Sequence, residues 1–309
     1  MKIIFMGTPS FALPSLRALI KSGHKVVAVV TQPDRPSGRG GKIKYSPVKE
    51  FALAEGIPVL QYQKISREGV EQLKALAPDI MVTAAYGQIL SREVLEIAPH
   101  GVINVHGSLL PAYRGAAPVQ WALINGEKST GITIMQTEEG LDSGDIILQE
   151  SIDMGGEECF DSLYSRLAEL GARLLVRAIS LIQSQAAVFI PQNPELATYF
   201  PTIKKTDGLL DFSLPARALF NRIRAIDCHT VLCGRQFKVR TAAVTEEDGS
   251  FAPPGTVLHA DRKNGLVVAC GSGALRLCSV QAACCACMPD ISFLNGRKVE
   301  PGTVLGADA

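Results

Sequence analysis

Short apolar runs alternate with amphipathic stretches through the first half of the chain. The runs predict β-strands, and the stretches whose apolar residues recur at helical spacing predict helices. The predicted strands are Lys2–Met6, Val26–Val30, Pro58–Leu60, Ile80–Thr83 and Gly101–Val105, and the predicted helices are Ala12–Ser22, Pro47–Glu55, Arg67–Ala77 and Pro118–Ile124. This alternation is typical of an α/β domain with a doubly wound, mostly parallel, Rossmann-like sheet.

The rest of the chain predicts a change of architecture. A β pair (Thr130–Thr137 and Ile146–Ile152) and a long helix (Cys159–Gln183) close the first domain, residues 1–188. Residues 189–206 are rich in proline and polar residues and predict a linker. Residues 207–309 begin with a helix and continue with short strands separated by glycine-containing turns, a pattern that predicts a small, OB-like β-barrel.

Composition places the chain among ordinary globular proteins. Hydrophobic residues make up 47% and charged residues 20%. No apolar run is long enough for a signal-peptide core or a membrane span, so we expect a cytoplasmic protein with no membrane partner. We also expect a monomer. The eight cysteines are expected to be reduced thiols. Zinc is the alternative, with Cys284-x-x-Cys287 near Cys228, His229 and Cys233, but this spacing matches no paired zinc knuckle and we expect no metal.

The net charge of +1 excludes a globally basic nucleic-acid binder. Positive charge is concentrated locally, because residues 201–240 contain eight Lys or Arg against three Asp. Such a stretch suits a polyanionic partner, although an ordinary solvated surface has the same composition.

The first turn, Gly7-Thr8-Pro9-Ser10, lies where a dinucleotide-binding sheet carries G-x-G-x-x-G, and that motif is absent. Two polar clusters are better candidates for chemistry. Asn104 and His106 end a predicted strand, are two residues apart and therefore face the same side of the sheet. Asp142 and Asp145 lie in a predicted glycine-containing loop, where either carboxylate can orient a histidine, although a plain hairpin turn has the same residues.

Two segments resemble the signatures of the folate-dependent formyltransferase family. They are Asn104-Val105-His106-Gly107-Ser108-Leu109-Leu110-Pro111-Ala112-Tyr113-Arg114-Gly115-Ala116-Ala117-Pro118 and Leu141-Asp142-Ser143-Gly144-Asp145. The opening Ile4–Ala12 and the later Lys204–Gly208 also fit, so that the resemblance covers nearly the whole chain and is greatest to members that act on methionyl-tRNA.

The resemblance implies catalysis by Asn104, His106 and Asp142, with 10-formyltetrahydrofolate as formyl donor and no metal. Asn104 would donate its amide N–H to the developing oxyanion, an interaction typically worth about 3 kcal/mol. His106 would polarise the formyl group or shuttle a proton, and Asp142 would orient His106 or a water. Folate would be bound by residues of two loops: Ser108, Leu109, Leu110, Pro111, Tyr86, Gly87 and Ile89.

The acceptor is the second question raised by the resemblance. Single-domain glycinamide ribonucleotide formyltransferases are too short, whereas amino-sugar-nucleotide formyltransferases and formyltetrahydrofolate hydrolases share both domains. A folate sensor or RNA-binding protein with this fold is a further alternative. The glycine-rich segment 31–44 matches the tRNA-recognition loop, which favours initiator methionyl-tRNA as partner and a role in translation initiation. Its expected tRNA contacts are Arg39, Lys42, Arg35 and Lys44.

Two departures from the family pattern lie in the second domain, where the resemblance implies tRNA binding. Ile226-Asp227-Cys228-His229 replaces a proline-rich turn, and Ala282–Met288 replaces a basic segment. The second change removes positive charge, so we expect a lower affinity for tRNA and a shallower salt dependence.

Overall fold

The computed structural model describes residues 1–37 and 42–306. Within residues 1–201 the described strands are β1 (Lys2–Gly7), β2 (Lys25–Thr31), β3 (Arg35–Ser37), β4 (Lys42–Lys44), β5 (Val59–Gln61), β6 (Ile80–Ala84), β7 (Val102–His106), β8 (Arg114–Gly115), β9 (Ser129–Gln136), β10 (Ile146–Asp153) and β11 (Tyr199–Phe200). The helices of the same region are α1 (Ala12–Lys21), α2 (Pro47–Ala54), α3 (Ile65–Glu68), α4 (Val70–Ala75), α5 (Arg92–Leu95), α6 (Pro118–Ile124) and α7 (Phe160–Gln183).

Seven of these strands form the main sheet, in the order β10-β9-β7-β6-β1-β2-β5. The pairs from β7 to β5 are parallel, and β9 and β10 add an antiparallel edge. The chain leaves β1 in one direction to β2 and β5, and then resumes on the other side with β6 and β7. The predicted doubly wound, mostly parallel sheet is therefore confirmed, and the carboxyl ends of β6 and β7 lie beside the point where the strand order reverses.

The strands are buried because their sequences are almost continuously apolar, as expected when helices cover both faces of a parallel sheet. Ile3, Ile4, Phe5 and Met6 of β1 are fully buried. The long helix α7 buries one apolar stripe, and it approaches the sheet closely at Gly171: a Cβ added there would lie 2.7 Å from a methyl group of Val105.

Local differences from the predicted elements have physical reasons. The single helix predicted over Arg67–Ala77 is two short helices, α3 and α4, that meet at Gly69. A Cβ at Gly69 would lie 3.0 Å from the carbonyl oxygen of Ile65, so the close approach at this junction favours glycine. The two-stranded pairs β3–β4 and β8–β11 were not predicted, because strands of two or three residues carry too little pattern.

The second unit contains β12 (Cys228–Leu232), β13 (Arg235–Glu246), β14 (Val257–Asp261), β15 (Gly265–Ala269), β16 (Ala274–Ala282), β17 (Met288–Pro289), α8 (Ala216–Ala225) and α9 (Asp290–Gly296). Its strands pair antiparallel in the order β12-β13-β16-β15-β14, with β17 on β16. The predicted antiparallel β domain is confirmed, and its closure into a barrel stays a prediction.

Contacts along the chain divide it near Pro201. The first unit comprises residues 1–119, 129–154 and 161–201, and the second unit comprises residues 202–309 with two short earlier segments, 120–128 and 155–160. The predicted boundaries at 188 and 206 stay a prediction, but the proline-rich residues 189–201 pack within the first unit.

Candidate active site

The side chains of Asn104 and His106 lie at the carboxyl end of β7, as the strand pattern predicts. The amide oxygen Oδ1 of Asn104 accepts a 2.8 Å hydrogen bond from the hydroxyl of Thr83, on the neighbouring strand β6. Because a hydroxyl donates to the oxygen and not to the NH₂ group, this bond fixes which way the amide faces. Within the part of the chain that is described, the Nδ2 group of Asn104 donates no hydrogen bond, so it is available to an oxygen of a ligand.

The imidazole of His106 is buried between two oxygen atoms. Its Nε2 lies 3.0 Å from the carbonyl oxygen of Tyr113, which can only accept, so Nε2 carries a hydrogen. Its Nδ1 lies 3.7 Å from Oδ1 of Asp142. That separation is too long for a hydrogen bond but suits an ion pair with a protonated imidazole. The side chains are 6% and 16% exposed, so water screens the pair only weakly.

Asp142 is held from its backbone and its side chain. Its Oδ2 accepts a 2.8 Å hydrogen bond from the backbone N–H of Gly115. Its φ of 48° lies in the left-handed region, which costs a non-glycine residue roughly 1–2 kcal/mol. Its carbonyl oxygen accepts a 2.9 Å hydrogen bond from Nε2 of Gln192, whose second hydrogen goes to the carbonyl of Gly144 at 2.7 Å. The structure therefore brings all three predicted catalytic side chains to one place.

The turn after His106 contains the four residues expected to line a folate site. Ser108 is buried, and its hydroxyl donates to the carbonyl of Ala112 at 2.7 Å. Leu110 is also buried, whereas Leu109 and Pro111 are partly exposed. Leu109 and Pro111 are therefore the two side chains of this turn that remain open to apolar contact.

The second predicted folate loop follows β6. Tyr86 is buried, and its carbonyl oxygen accepts a 3.0 Å hydrogen bond from Nε2 of Gln32. Gly87 has a φ of +82°, which a side chain would strain. Ile89 is 82% exposed, an unusual exposure for isoleucine. This loop thus offers an open apolar side chain and a glycine backbone beside the carboxyl end of β6.

The predicted RNA-recognition loop includes a short β-hairpin, in which Arg35 on β3 pairs with Lys44 on β4. Both residues are exposed. Lys42 lies on β4 opposite Ser37, and Arg39 lies outside the described residues. The hairpin therefore places two cations side by side at its base.

The one acid of this loop is neutralised within the protein. The carboxylate of Asp34 accepts hydrogen bonds from Nζ of Lys49 and from Nε2 of Gln61, the latter at 3.1 Å. Lys49, followed by the Gln61 amide, lowers the pKa of Asp34 despite some burial. Because Lys49 belongs to α2, the negative charge of Asp34 is offset from outside the loop, and the loop keeps its own positive charge.

The basic stretch 201–240 is less available than its sequence indicates. Four of its arginines bind acceptors of the same unit: Arg217 binds Glu247, Arg222 the carbonyl of Asp207, Arg224 the carbonyls of 155, 156 and 158, and Arg240 binds Asp227. Among the described residues, the side chains of Lys204, Lys205, Arg235 and Lys238 have no hydrogen bond or ion pair. These four carry the charge that remains for a polyanionic partner.

Residues 1–37 and 42–306 contain no group of three His, Cys, Asp or Glu side chains arranged to hold a metal ion. Burial raises the pKa of the Cys228 and Cys270 thiols to about 12, which keeps both protonated. No described helix is both long and apolar enough to cross a bilayer.

Several residues around the site were not predicted from the sequence. Thr83, Tyr113 and Gln192 each bind one of the three candidate catalytic residues, and Arg114 binds Gln192. Arg114 lies within the first family signature, and this was the only feature of the sequence that indicated a role for it. Gln192 is separated from Asp142 by 50 residues, and no local pattern marks it.

Two family models match the chain. The formyl transferase model matches residues 1–179, and the model of the formyl transferase C-terminal domain matches residues 202–298. The chain belongs to the formyl transferase family. The family fold agrees with the sheet and the antiparallel β domain described above.

Relatives within the formyl transferase family are similar over the full length. A methionyl-tRNA formyltransferase from Acetivibrio thermocellus is 46% identical over 99% of this chain and 100% of that protein. One of the same name from Geobacter sulfurreducens is 44% identical over 99% of this chain and 97% of its own length.

Solved structures show the same fold at lower identity. An N-formyltransferase from Helicobacter canadensis, in complex with folinic acid and dTDP-3-aminofucose, has a TM-score of 0.65 and 19% identity, covering 90% of this chain and 99% of that one. HypX from Aquifex aeolicus, in complex with tetrahydrofolic acid, has a TM-score of 0.67 and 16% identity, covering 98% of this chain and 50% of that one.

Proposed function

We propose that this chain transfers the formyl group of 10-formyltetrahydrofolate to the α-amino group of methionine carried by initiator tRNA. The observation that carries the proposal is the identity of 44–46%, over essentially the full length of both chains, to methionyl-tRNA formyltransferases. The product, N-formylmethionyl-tRNA, serves translation initiation.

The site chemistry fits a formyl donor. Asn104 offers an N–H that has no partner among residues 1–37 and 42–306 and that Thr83 orients, and an amide donor of this kind stabilises an oxygen on which negative charge develops. The open side chains of Leu109, Pro111 and Ile89 suit an apolar ring system. The surrounding backbone is shaped by Ser108, Leu110, Tyr86 and Gly87.

The transfer balances without a nucleophilic side chain. The amine nitrogen forms a bond to the formyl carbon, the bond from that carbon to the donor nitrogen breaks, and one proton passes from the amine nitrogen to the donor nitrogen. His106 is the group placed to move that proton. Oδ1 of Asp142 lies 3.7 Å from Nδ1, on one side of the ring, and the Tyr113 carbonyl fixes the ring by accepting from Nε2.

The tRNA side of the proposal depends on the hairpin and the second unit. Arg35 and Lys44 are exposed and adjacent, and each can neutralise a phosphate. Arg39 and Lys42 stay predicted contacts in the same loop. In the second unit, Lys204, Lys205, Arg235 and Lys238 are the cations of stretch 201–240 whose side chains bind no other described residue.

The test is formyl transfer from 10-formyltetrahydrofolate to initiator methionyl-tRNA, with a 4-amino-sugar nucleotide as a parallel acceptor. Fast transfer to the tRNA, reduced about 100-fold or more in Asn104→Ala, supports the proposal. Transfer to the sugar alone would place the chain among sugar-nucleotide formyltransferases. Release of formate without transfer would indicate a formyltetrahydrofolate hydrolase, and folate binding without any turnover a binding protein.

A further inference from the structure

Residues 189–201, the strap, were predicted as part of a linker, but they are tied to the candidate active site by backbone hydrogen bonds. Ile190 and Ile146 exchange two bonds of 2.8 and 2.9 Å, directly after the loop of Asp142. At the other end, β11 pairs in parallel with β8, and the backbone N–H of Arg114 donates to the carbonyl of Thr198 at 2.9 Å. The strap therefore joins two segments that flank His106.

Gln192, in the middle of the strap, makes the contact closest to the chemistry. Both hydrogens of its amide go to carbonyl oxygens in the Asp142 loop, at 2.9 Å to Asp142 and 2.7 Å to Gly144. Its Oε1 accepts two hydrogen bonds from the buried guanidinium of Arg114, at 3.1 and 2.7 Å. Since a guanidinium only donates, Arg114 forces the amide oxygen toward itself and the NH₂ group toward the loop.

The strap also holds the residue on the other side of His106. The backbone N–H of Tyr113 donates to the hydroxyl of Thr198 at 2.8 Å, and the rings of Tyr113 and Phe200 stack at 4.6 Å. Tyr113, like Asp142, has a left-handed backbone, with a φ of 60°. The two oxygen atoms that flank the imidazole thus belong to residues with strained backbones, which other parts of the fold must hold in place. The strap makes hydrogen bonds to both residues.

We propose that Gln192 is a positioning residue for formyl transfer, acting through Asp142 on His106. It supplies the two hydrogen bonds that keep the strained Asp142 backbone in place, and Arg114 sets its orientation. A displacement of about 1 Å at a reacting group can reduce a rate 100-fold, so loss of these bonds affects the chemical step more than substrate binding. This inference rests on the proposed function for its kinetic readout only.

The test compares Gln192→Ala and Gln192→Glu with Glu195→Gln, the reverse exchange at an exposed position of the same strap. In Gln192→Glu one carboxylate oxygen still accepts hydrogen bonds from Arg114. The other carboxylate oxygen replaces the NH₂ group and faces two carbonyl oxygens, to which it cannot donate. We expect kcat to fall about 10- to 100-fold in both Gln192 variants, with KM for folate and tRNA within about twofold of wild type. The Gln192→Glu variant should recover activity relative to Gln192→Ala as pH falls, because a protonated carboxyl again donates to a carbonyl.

A second readout is independent of turnover. The ¹⁵N chemical shifts of the His106 ring, assigned with His106→Gln and compared at one pH, should change in the Gln192 variants and match wild type in Glu195→Gln. Unchanged kcat and unchanged His106 chemical shifts in folded Gln192→Ala protein would overturn the inference. If wild type transfers no formyl group, the proposed function fails, while the His106 chemical shifts still decide the positioning role.

Discussion

The hydrogen bond from Thr83 to Asn104 is the contact whose removal tests the site most directly. Thr83→Val keeps the shape of the side chain and deletes the hydroxyl that binds Oδ1 of Asn104 at 2.8 Å. Thr83 is buried, with 7% of its surface exposed. Since Asn104 is partly exposed, water can satisfy its oxygen after the change, and we expect little loss of folding stability.

The size of the effect follows from what the bond restrains. Without it, the amide of Asn104 rotates between orientations that present Nδ2 or Oδ1 to a ligand oxygen. A neutral hydrogen bond of this kind contributes about 0.5–1.5 kcal/mol net, which corresponds to a loss of about two- to tenfold in the productive orientation. Removing the donor itself, in Asn104→Ala, should cost about 100- to 1,000-fold.

The assay is single-turnover formyl transfer at saturating donor and acceptor, for Thr83→Val, Thr83→Ser, Asn104→Ala and the double variant Thr83→Val with Asn104→Ala. Thr83→Ser keeps the hydroxyl and should stay near the wild-type rate. If Thr83 acts only through Asn104, the double variant is no slower than Asn104→Ala. Additive losses, or equal rates for the Val and Ser variants, would refute the reasoning.

Three further predictions concern other parts of the chain. Asp290 is 2% exposed and binds Arg276 at 2.8 Å. Burial alone would raise the pKa of Asp290, but Arg276 and two backbone N–H groups lower it. The contribution of Asp290 to stability is therefore present above about pH 4 and disappears as pH falls through the lowered pKa. Asp290→Asn should lower the free energy of unfolding, measured with denaturant, by about 2–3 kcal/mol at pH 7 and by less in acid. The control Asp248→Asn, at an exposed position, should leave the free energy of unfolding near that of wild type. In Gly144→Ala the added Cβ would lie 2.0 Å from the carbonyl oxygen of Gln136, so the Asp142 loop must shift and kcat should fall at least tenfold; wild-type kcat would show that the loop position is unimportant. Arg35→Ala with Lys44→Ala should raise KM for tRNA and reduce the slope of log affinity against log salt by about one to two, an effect absent from Lys21→Ala; an unchanged slope would remove the hairpin from the tRNA interface.

The hydrophobic pattern predicted the strands of both units because they are apolar runs separated by helices or by turns that contain glycine and proline. The strands β1, β2, β6 and β7 were predicted within one or two residues, since a buried parallel strand has an unmistakable apolar run. The position of Asn104 and His106 at the end of β7 followed from the same pattern. Their chemical roles came from the resemblance to a family and not from periodicity.

The tertiary structure alone decided what surrounds the catalytic side chains. The distance of 3.7 Å between His106 and Asp142 depends on a loop that spans residues 137–145, whose path no local rule sets. The availability of the basic stretch 201–240 likewise depended on partners such as Glu247 and Asp227, which the count of charges does not identify.

The strap shows the reason for this division. A hydrophobic pattern indicates which face of a helix or strand is buried. The proline-rich residues 189–201 have no such pattern, so the sequence predicts a linker there. Their role is set by hydrogen bonds that Gln192 donates to a segment 50 residues away and that Thr198 accepts from a segment 85 residues away. The free energy of such bonds depends on where distant backbone atoms lie. The chain therefore encodes its sheet locally, and its active-site geometry only through the fold.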